Sequence, residues 1–175
     1  IWLESLAETV ELDESPDLIV AAASIHWIDH SILFPKLYEV VAADHVFAVV
    51  EGDTAHEPPW HDAWEQFLTR WIMILQGEKY EPNRADSKFN IKMTQHRAWL
   101  NIQETSYSEF IHIQSIDEFI KCQHSRDSFA PAKMGSKMSQ YDEELRALLE
   151  PYAEDDTLSY KVRTRIEWGQ IKAML

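Results

Sequence analysis

The apolar positions of this chain fall into short continuous runs and longer stripes at helical spacing. Residues 18 to 23, Leu-Ile-Val-Ala-Ala-Ala, form an unbroken apolar run entered from the acidic, turn-rich cluster that contains Pro16. That pattern predicts a buried strand. Residues 29 to 41 then place Ile32, Leu33, Leu37, Val40 and Val41 at mixed helical spacings, which predicts a helix with one inward face. Asp29 or Ser31 is the expected cap, with Pro35 in the first turn or just inside it. A second apolar run, residues 45 to 53, is closed by Gly52 and has the pattern of a strand buried on both faces. Strand, helix, strand within about 35 residues is a βαβ unit, so the two strands are expected to be parallel with a right-handed crossover.

The middle of the chain changes character. From the Pro58-Pro59 pair onward, Trp60, Trp64, Phe67, Leu68, Trp71, Ile72 and Leu75 make a broad aromatic stripe at helical spacing. Gly77 to about Lys92 is polar and weakly periodic, and reads as a surface connection. Residues 107 to 113 alternate like a strand. Ser115 with Glu118 three residues on has the spacing of a capping box and opens a helix over 115–126. A further helix is predicted over 139–153, ending near Pro151. Residues 158 to 168 set Tyr160, Val162, Thr164, Ile166 and Trp168 against Lys161, Arg163, Arg165 and Glu167, the period of two expected of an antiparallel strand with one wetter face. One α/β domain over residues 1–175 accommodates these elements.

Composition narrows the classes of partner. The 175 residues carry 30 Asp plus Glu against 16 Lys plus Arg, a formal charge of −14, and such a field repels phosphate backbones and anionic lipid. Neither nucleic acid nor a membrane surface is an expected partner. Cys122 is the single cysteine, so no intrachain disulfide forms, which fits a cytoplasmic location. No apolar stretch reaches the length of a membrane span, and no signal peptide is legible.

Candidate chemistry is sparse. The four glycines at 52, 77, 135 and 169 make no phosphate-cradling pattern. His26 with His30, and His56 with His61 and Asp62, invite a metal reading, but the first pair straddles a strand-to-helix turn and the second is interrupted by prolines. No metal site is expected. Ser24 lacks the flanking glycines of a nucleophile elbow. The stripe containing Trp60 and Trp64 either fills a core or lines an apolar pocket. What stands out is Ser24-Ile25-His26-Trp27-Ile28-Asp29 after the first apolar run. In an open parallel sheet, ligands bind beyond the carboxyl ends of the strands, where His26 and Trp27 belong.

The same stretch carries a resemblance. Ala7-Glu8, Asp17-Leu18-Ile19, His26-Trp27 with Asp29, the helix around Leu37 and the run at 46–50 are similar to a segment of class I S-adenosylmethionine-dependent methyltransferases, in particular the branch of ubiquinone-biosynthesis and trans-aconitate-type enzymes. The stretches at 125–135, 141–153 and 162–169 resemble the closing third of bacterial members. The resemblance implies a Rossmann-like sheet of order 3-2-1-4-5-7-6 with an antiparallel last strand, of which this chain supplies 4-5-7-6. Its strands 1 to 3 and glycine-rich loop would precede Ile1, and the chain opens on Ile1-Trp2-Leu3 without an initiator Met. The sequence therefore reads as the carboxyl-terminal portion of such a protein, with an incomplete cofactor site, weak or no cofactor binding and no activity when isolated.

Residue by residue, the resemblance implies that Ala7 and Glu8 approach the adenine of S-adenosyl-L-methionine. The acidic or hydroxyl side chain that often precedes this pair is replaced by Leu6. Ala23, Ser24 and His26 would line the methionine end, with His26 a candidate base, and Trp27 the substrate entrance. Residues 54–105, with Trp60 and Trp64, would form the lid over a small-molecule acceptor. A different class of reading is a noncatalytic α/β module. In either case, an open strand edge predicts a homodimer or another pairing partner.

Overall fold

The computed structural model describes residues 4–52, 54–77 and 88–173, without the side chains of 88–90. Four strands form one sheet: β1 (Leu18–Ala22), β2 (Val46–Glu51), β3 (Leu100–Ser115) and β4 (Thr157–Ile171), in the order β1-β2-β4-β3. β1 pairs with β2 in parallel, Leu18 opposite Val46 through Ala22 opposite Val50. β4 runs antiparallel to β2, Phe47 opposite Gly169 and Glu51 opposite Arg165. The relative order of the four strands and the antiparallel sense of β4 are those expected.

The chain divides into two compact units, one of Ile1–Asp53, Pro82–Ser108 and Arg163–Leu175, the other of Thr54–Glu81 and Glu109–Val162. Each has its own apolar core.

In the first unit, α1 (His30–Val40) joins β1 to β2. Asp29 is its cap, its carboxylate accepting the Ser31 N–H at 2.9 Å and the Ser31 hydroxyl at 2.6 Å. Pro35 lies deeper than expected, in the second turn, where it removes one backbone hydrogen bond. Leu33, Phe34 and Leu37 pack with Ala21, Ile25, Phe47, Val49, Leu100 and Ile171. Phe34 stacks on Trp99 with ring centres 5.7 Å apart.

β1 is not the fully buried strand that its composition suggests. Leu18 is 61% exposed and Val20 53%, while Ala21 is buried. β1 is an edge strand, and nothing among the described residues covers the face that carries Leu18 and Val20. An unbroken apolar run records no such asymmetry.

In the second unit, α2 (His61–Gln76) stops at Gly77, whose φ of 68° places it in the left-handed region that favours glycine. α4 (Ile116–His124) begins with the expected capping box: Glu118 N–H donates to Ser115 Oγ at 3.2 Å, and Ser115 N–H donates to the Glu118 carboxylate at 3.0 Å. α5 (Pro131–Met134) and α6 (Met138–Leu149) follow, and Pro151 sits in a 3-10 turn just after α6. Trp60, Phe67, Trp71, Phe119, Tyr141 and Leu145 belong to this core.

Three expectations change. A helix, α3 (Lys88–Thr94), begins where the end of a surface connection was expected, and a 3-10 turn over Gln95–Ala98 follows it, while 78–87 lie outside the described residues. β3 extends well before residue 107: Leu100 is buried and Ile102 half-buried, but Gln103–Thr105 are polar and exposed on this edge strand, so no sustained alternation marks its start. Glu167, expected on the wetter face of β4, is 2% exposed. Along β4 the buried positions are even-numbered through Val162 and odd-numbered from Glu167, so one period of two does not describe the whole strand.

Candidate functional site

β1 delivers a stretch of small side chains to the carboxyl end of the parallel pair. Ala23 leaves the strand with φ 48°, unusual for a residue with a side chain, and its N–H donates to Val50 O at 2.9 Å. A 3-10 turn over Ile25–Trp27 follows, closed by the Trp27 N–H donating to Ser24 O at 2.9 Å. Ile25 is fully buried and acts as the plug beneath the turn. His30 fixes the turn from α1: it is 5% exposed and its Nε2–H donates to Ile25 O at 2.8 Å.

The other side chains of this segment are half-buried or exposed. His26 is half-buried with its ring centre 5.0 Å from that of Trp27, and Trp27 is 63% exposed. Ala23 is exposed and Ser24 half-buried.

Ala7 and Glu8 are brought to the same place. They lie in a turn closed by the Thr9 and Val10 N–H groups donating to Leu6 O at 3.1 and 3.0 Å. The Glu8 carboxylate accepts the backbone N–H of Asp29 at 2.8 Å. Lys36 of α1 donates to Glu8 O at 3.3 Å and also to Val10 O. The five residues that the resemblance assigns to the cofactor thus belong to two segments, one of which is bonded through Glu8 to Asp29, two residues beyond Trp27.

Trp60 and Trp64 lie elsewhere, in the second unit. Trp60 is 1% exposed, edge-on to Phe119 and Tyr160, and Trp64 stacks on Phe67 with ring centres 5.7 Å apart. They fill a core. Among the described residues, no three of His, Cys, Asp and Glu converge as a metal-binding group, and no helix is long and apolar enough to cross a membrane.

Sequence reasoning missed a buried polar cluster in the first unit. Glu167 takes hydrogen bonds from His96 Nε2 at 2.9 Å and Arg97 Nε at 3.0 Å, and a second contact from the Arg97 guanidinium. Arg165 donates to Glu51, its cross-strand partner. Burial by itself would raise the Glu167 carboxyl, but the hydrogen bonds from Arg97 and His96 and the charge of Arg165 outweigh it and bring it down to about 2. Burial lowers His96, against the opposing pull of its bond to Glu167, so its imidazole is neutral at pH 7 and donates from Nε2. The signal available in sequence was a glutamate ending an otherwise apolar run, at Glu51. His96 and Arg97 lie in a stretch without periodicity.

No family profile matches the chain. A stretch of 57 residues, 32% of this chain, is 37% identical to trans-aconitate 2-methyltransferase of Variovorax paradoxus (strain S110), and spans 22% of that relative's length. Among solved structures, a candidate type II methyltransferase from Anaeromyxobacter dehalogenans superposes over 94% of this chain and 68% of that one, with a TM-score of 0.63 and 18% identity.

The chain has a methyltransferase fold. A candidate methyltransferase from an antibiotic biosynthesis pathway of Anabaena variabilis ATCC 29413 is a looser match, with a TM-score of 0.47 and 17% identity over 97% of this chain and 72% of that one. The likeness to methyltransferases read from the sequence is met by the sequence relative over its 57 residues and by the fold of the Anaeromyxobacter dehalogenans structure. Within that fold, the polar and aromatic end of β1 occupies the carboxyl end of the parallel strand pair.

Proposed function

We propose that this chain carries part of the machinery for methyl transfer from S-adenosyl-L-methionine to a small-molecule acceptor. The observation that carries the proposal is the 2.8 Å hydrogen bond from Asp29 N–H to Glu8, which ties the Ala7–Glu8 turn to the cap of α1, two residues after the segment Ala23–Trp27. When bound, the cofactor supplies an electrophilic methyl group on a sulfonium. The residues here orient and enclose: Ala7 and Glu8 flank the adenine, and Ala23, Ser24 and His26 the methionine end. Trp27 offers an aromatic wall to the acceptor, and His26 takes a proton only where the acceptor must lose one.

The test is titration of isotope-labelled protein with S-adenosylhomocysteine, followed by NMR, which reports even millimolar binding. Shifts confined to Ala7, Glu8 and Ala23–Trp27 are the expected result. Shifts elsewhere, or none at millimolar ligand, refute the assignment.

A second reading, self-association, rests on the exposed Leu18 and Val20 of edge strand β1. Its unguarded five-residue edge suits pairing with a second copy. Concentration-dependent sedimentation tests it, and a monomer at all concentrations rules it out.

A further inference from the structure

The 16 lysines and arginines of this chain are outnumbered by 30 Asp and Glu side chains, and Arg70, Lys133 and Arg146 each take a carboxylate partner. Lys36 does not. Half-buried in the second turn of α1, it directs its ammonium to two main-chain carbonyls, Glu8 O at 3.3 Å and Val10 O, and no carboxylate pairs with it among the described residues. An ammonium drawn partly out of water needs its donors met, and bonds with one charged partner are the stronger kind. Here they are met by a turn that lies 26 to 28 residues earlier in the chain.

That turn has a second fastening, the 2.8 Å bond from Asp29 N–H to the Glu8 carboxylate. Asp29 caps α1, and Lys36 follows it by one to two turns, about 10 Å along a helix axis. A loop held at one point swings about it, whereas a loop held at two separated points has one placement. The two fastenings also grip different things. Asp29 holds the Glu8 side chain, with rotatable bonds between the carboxylate and the backbone. Lys36 holds the main chain itself, at Glu8 and at Val10.

The main chain is what this turn has to offer a ligand. Leu6 is 69% exposed and brings no polar side chain, and the Glu8 carboxylate is engaged with Asp29. Leu6 O takes the Thr9 and Val10 N–H groups and Glu8 O takes Lys36. Of these three residues, Ala7 alone keeps a carbonyl without a partner among the described residues. Contacts made by main-chain atoms are only as accurate as the placement of the main chain.

We infer that Lys36 is a positioning residue for cofactor binding: its ammonium fixes the main chain of Glu8–Val10 against α1, so that the turn presents Ala7 and Glu8 to the adenine before the ligand arrives. The identity of the ligand rests on the methyl-transfer reading, and the fastening does not.

The test uses the whole chain, with S-adenosylhomocysteine as the probe. Lys36→Met keeps the apolar stem and removes the ammonium. Lys36→Arg keeps donors for both carbonyls. Lys133→Met makes the same change in net charge at the Asp127 pair of the second unit, and so controls for the field of the chain. In Lys36→Met the 13C resonances of the Glu8 and Val10 carbonyls should shift, and the Thr9 and Val10 amides should exchange faster. The ligand should bind about 5- to 20-fold more weakly, because the turn is then ordered at the expense of binding. Lys36→Arg should return the carbonyl resonances and bring affinity to within about 3-fold of the parent. Lys133→Met should bind as the parent does. A purely structural lysine would lower the melting temperature of Lys36→Met and leave the affinity of the folded protein alone.

Unchanged affinity in Lys36→Met overturns the inference, whether or not the carbonyl resonances move. Equal weakening in Lys133→Met overturns it by assigning the loss to net charge. A Lys36→Arg variant that returns the carbonyl resonances without recovering affinity overturns it as well. No binding by the parent at millimolar ligand is a different failure: it removes the methyl-transfer reading, and the cofactor role of Lys36 with it.

Discussion

Replacing Glu167 by Gln keeps the shape of the side chain and removes its charge, and the structure sets the expected cost. The carboxylate is 2% exposed and accepts hydrogen bonds from His96 and Arg97, with Arg165 Nε 3.8 Å away. Its carboxyl is held at about 2 instead of the ordinary 4.5. That difference corresponds to about 3 kcal/mol of folding stability at neutral pH, within the range of about 3–5 kcal/mol for breaking a buried ion pair from one side. The sign follows from the depressed value. The contribution is complete above about pH 4.5 and is lost as pH falls toward 2. His96 adds to the acid sensitivity: burial keeps its imidazole below the ordinary 6.5, so protonation below that pH favours the unfolded chain. Amide hydrogen exchange at the paired positions of β2 and β4 measures the opening of this unit. At pH 7 the variant should exchange there with an opening free energy lower by about 3 kcal/mol, and below pH 4.5 its stability should fall less steeply than that of the parent. A loss under about 1 kcal/mol, or identical pH profiles, would refute the account of Glu167 as an ionised anchor.

Asp29→Ala removes the cap of α1 and the acceptor for Ser31, and should cost about 1 kcal/mol in urea denaturation; no change would mean that water replaces the cap. Trp60→Ala empties a site among Phe119, Tyr152 and Tyr160 and should destabilise the second unit by about 3–5 kcal/mol, read as faster amide exchange in α4 and α6. Val20→Lys places a charge on the exposed face of β1 and should abolish concentration-dependent association seen by sedimentation, with little change in melting temperature because the site is already half exposed. An unaltered association constant would move the contact away from β1.

The β1–α1–β2 segment was legible because continuous apolar runs, a capping aspartate and a closing glycine all point to the same elements, and the structure places them at 18–22, 30–40 and 46–51. The turn at His26 and Trp27 was legible for a similar reason, since polar groups end an apolar run abruptly. The exposure of Leu18 and Val20 was not, because a run apolar on both faces says nothing about which neighbours are present. Nor was the Glu167 cluster. Its members come from three separated parts of the chain, at 51, 96–97 and 165–167, and pairing between distant charges leaves no local periodicity. The tryptophan stripe was legible as a helix face, yet only packing distances separate a core such as that around Trp60 from a pocket wall.

The change of buried parity along β4, from Val162 to Glu167, limits how this strand can vary in length. Substitutions at the exposed positions alter one side chain at a time. An insertion or deletion of a single residue between these two points would rotate every later side chain to the opposite face, driving Trp168 inward and Glu167 out toward water. Members of a lineage sharing this fold should therefore show gaps at the loops flanking β4 and almost never inside 163–166.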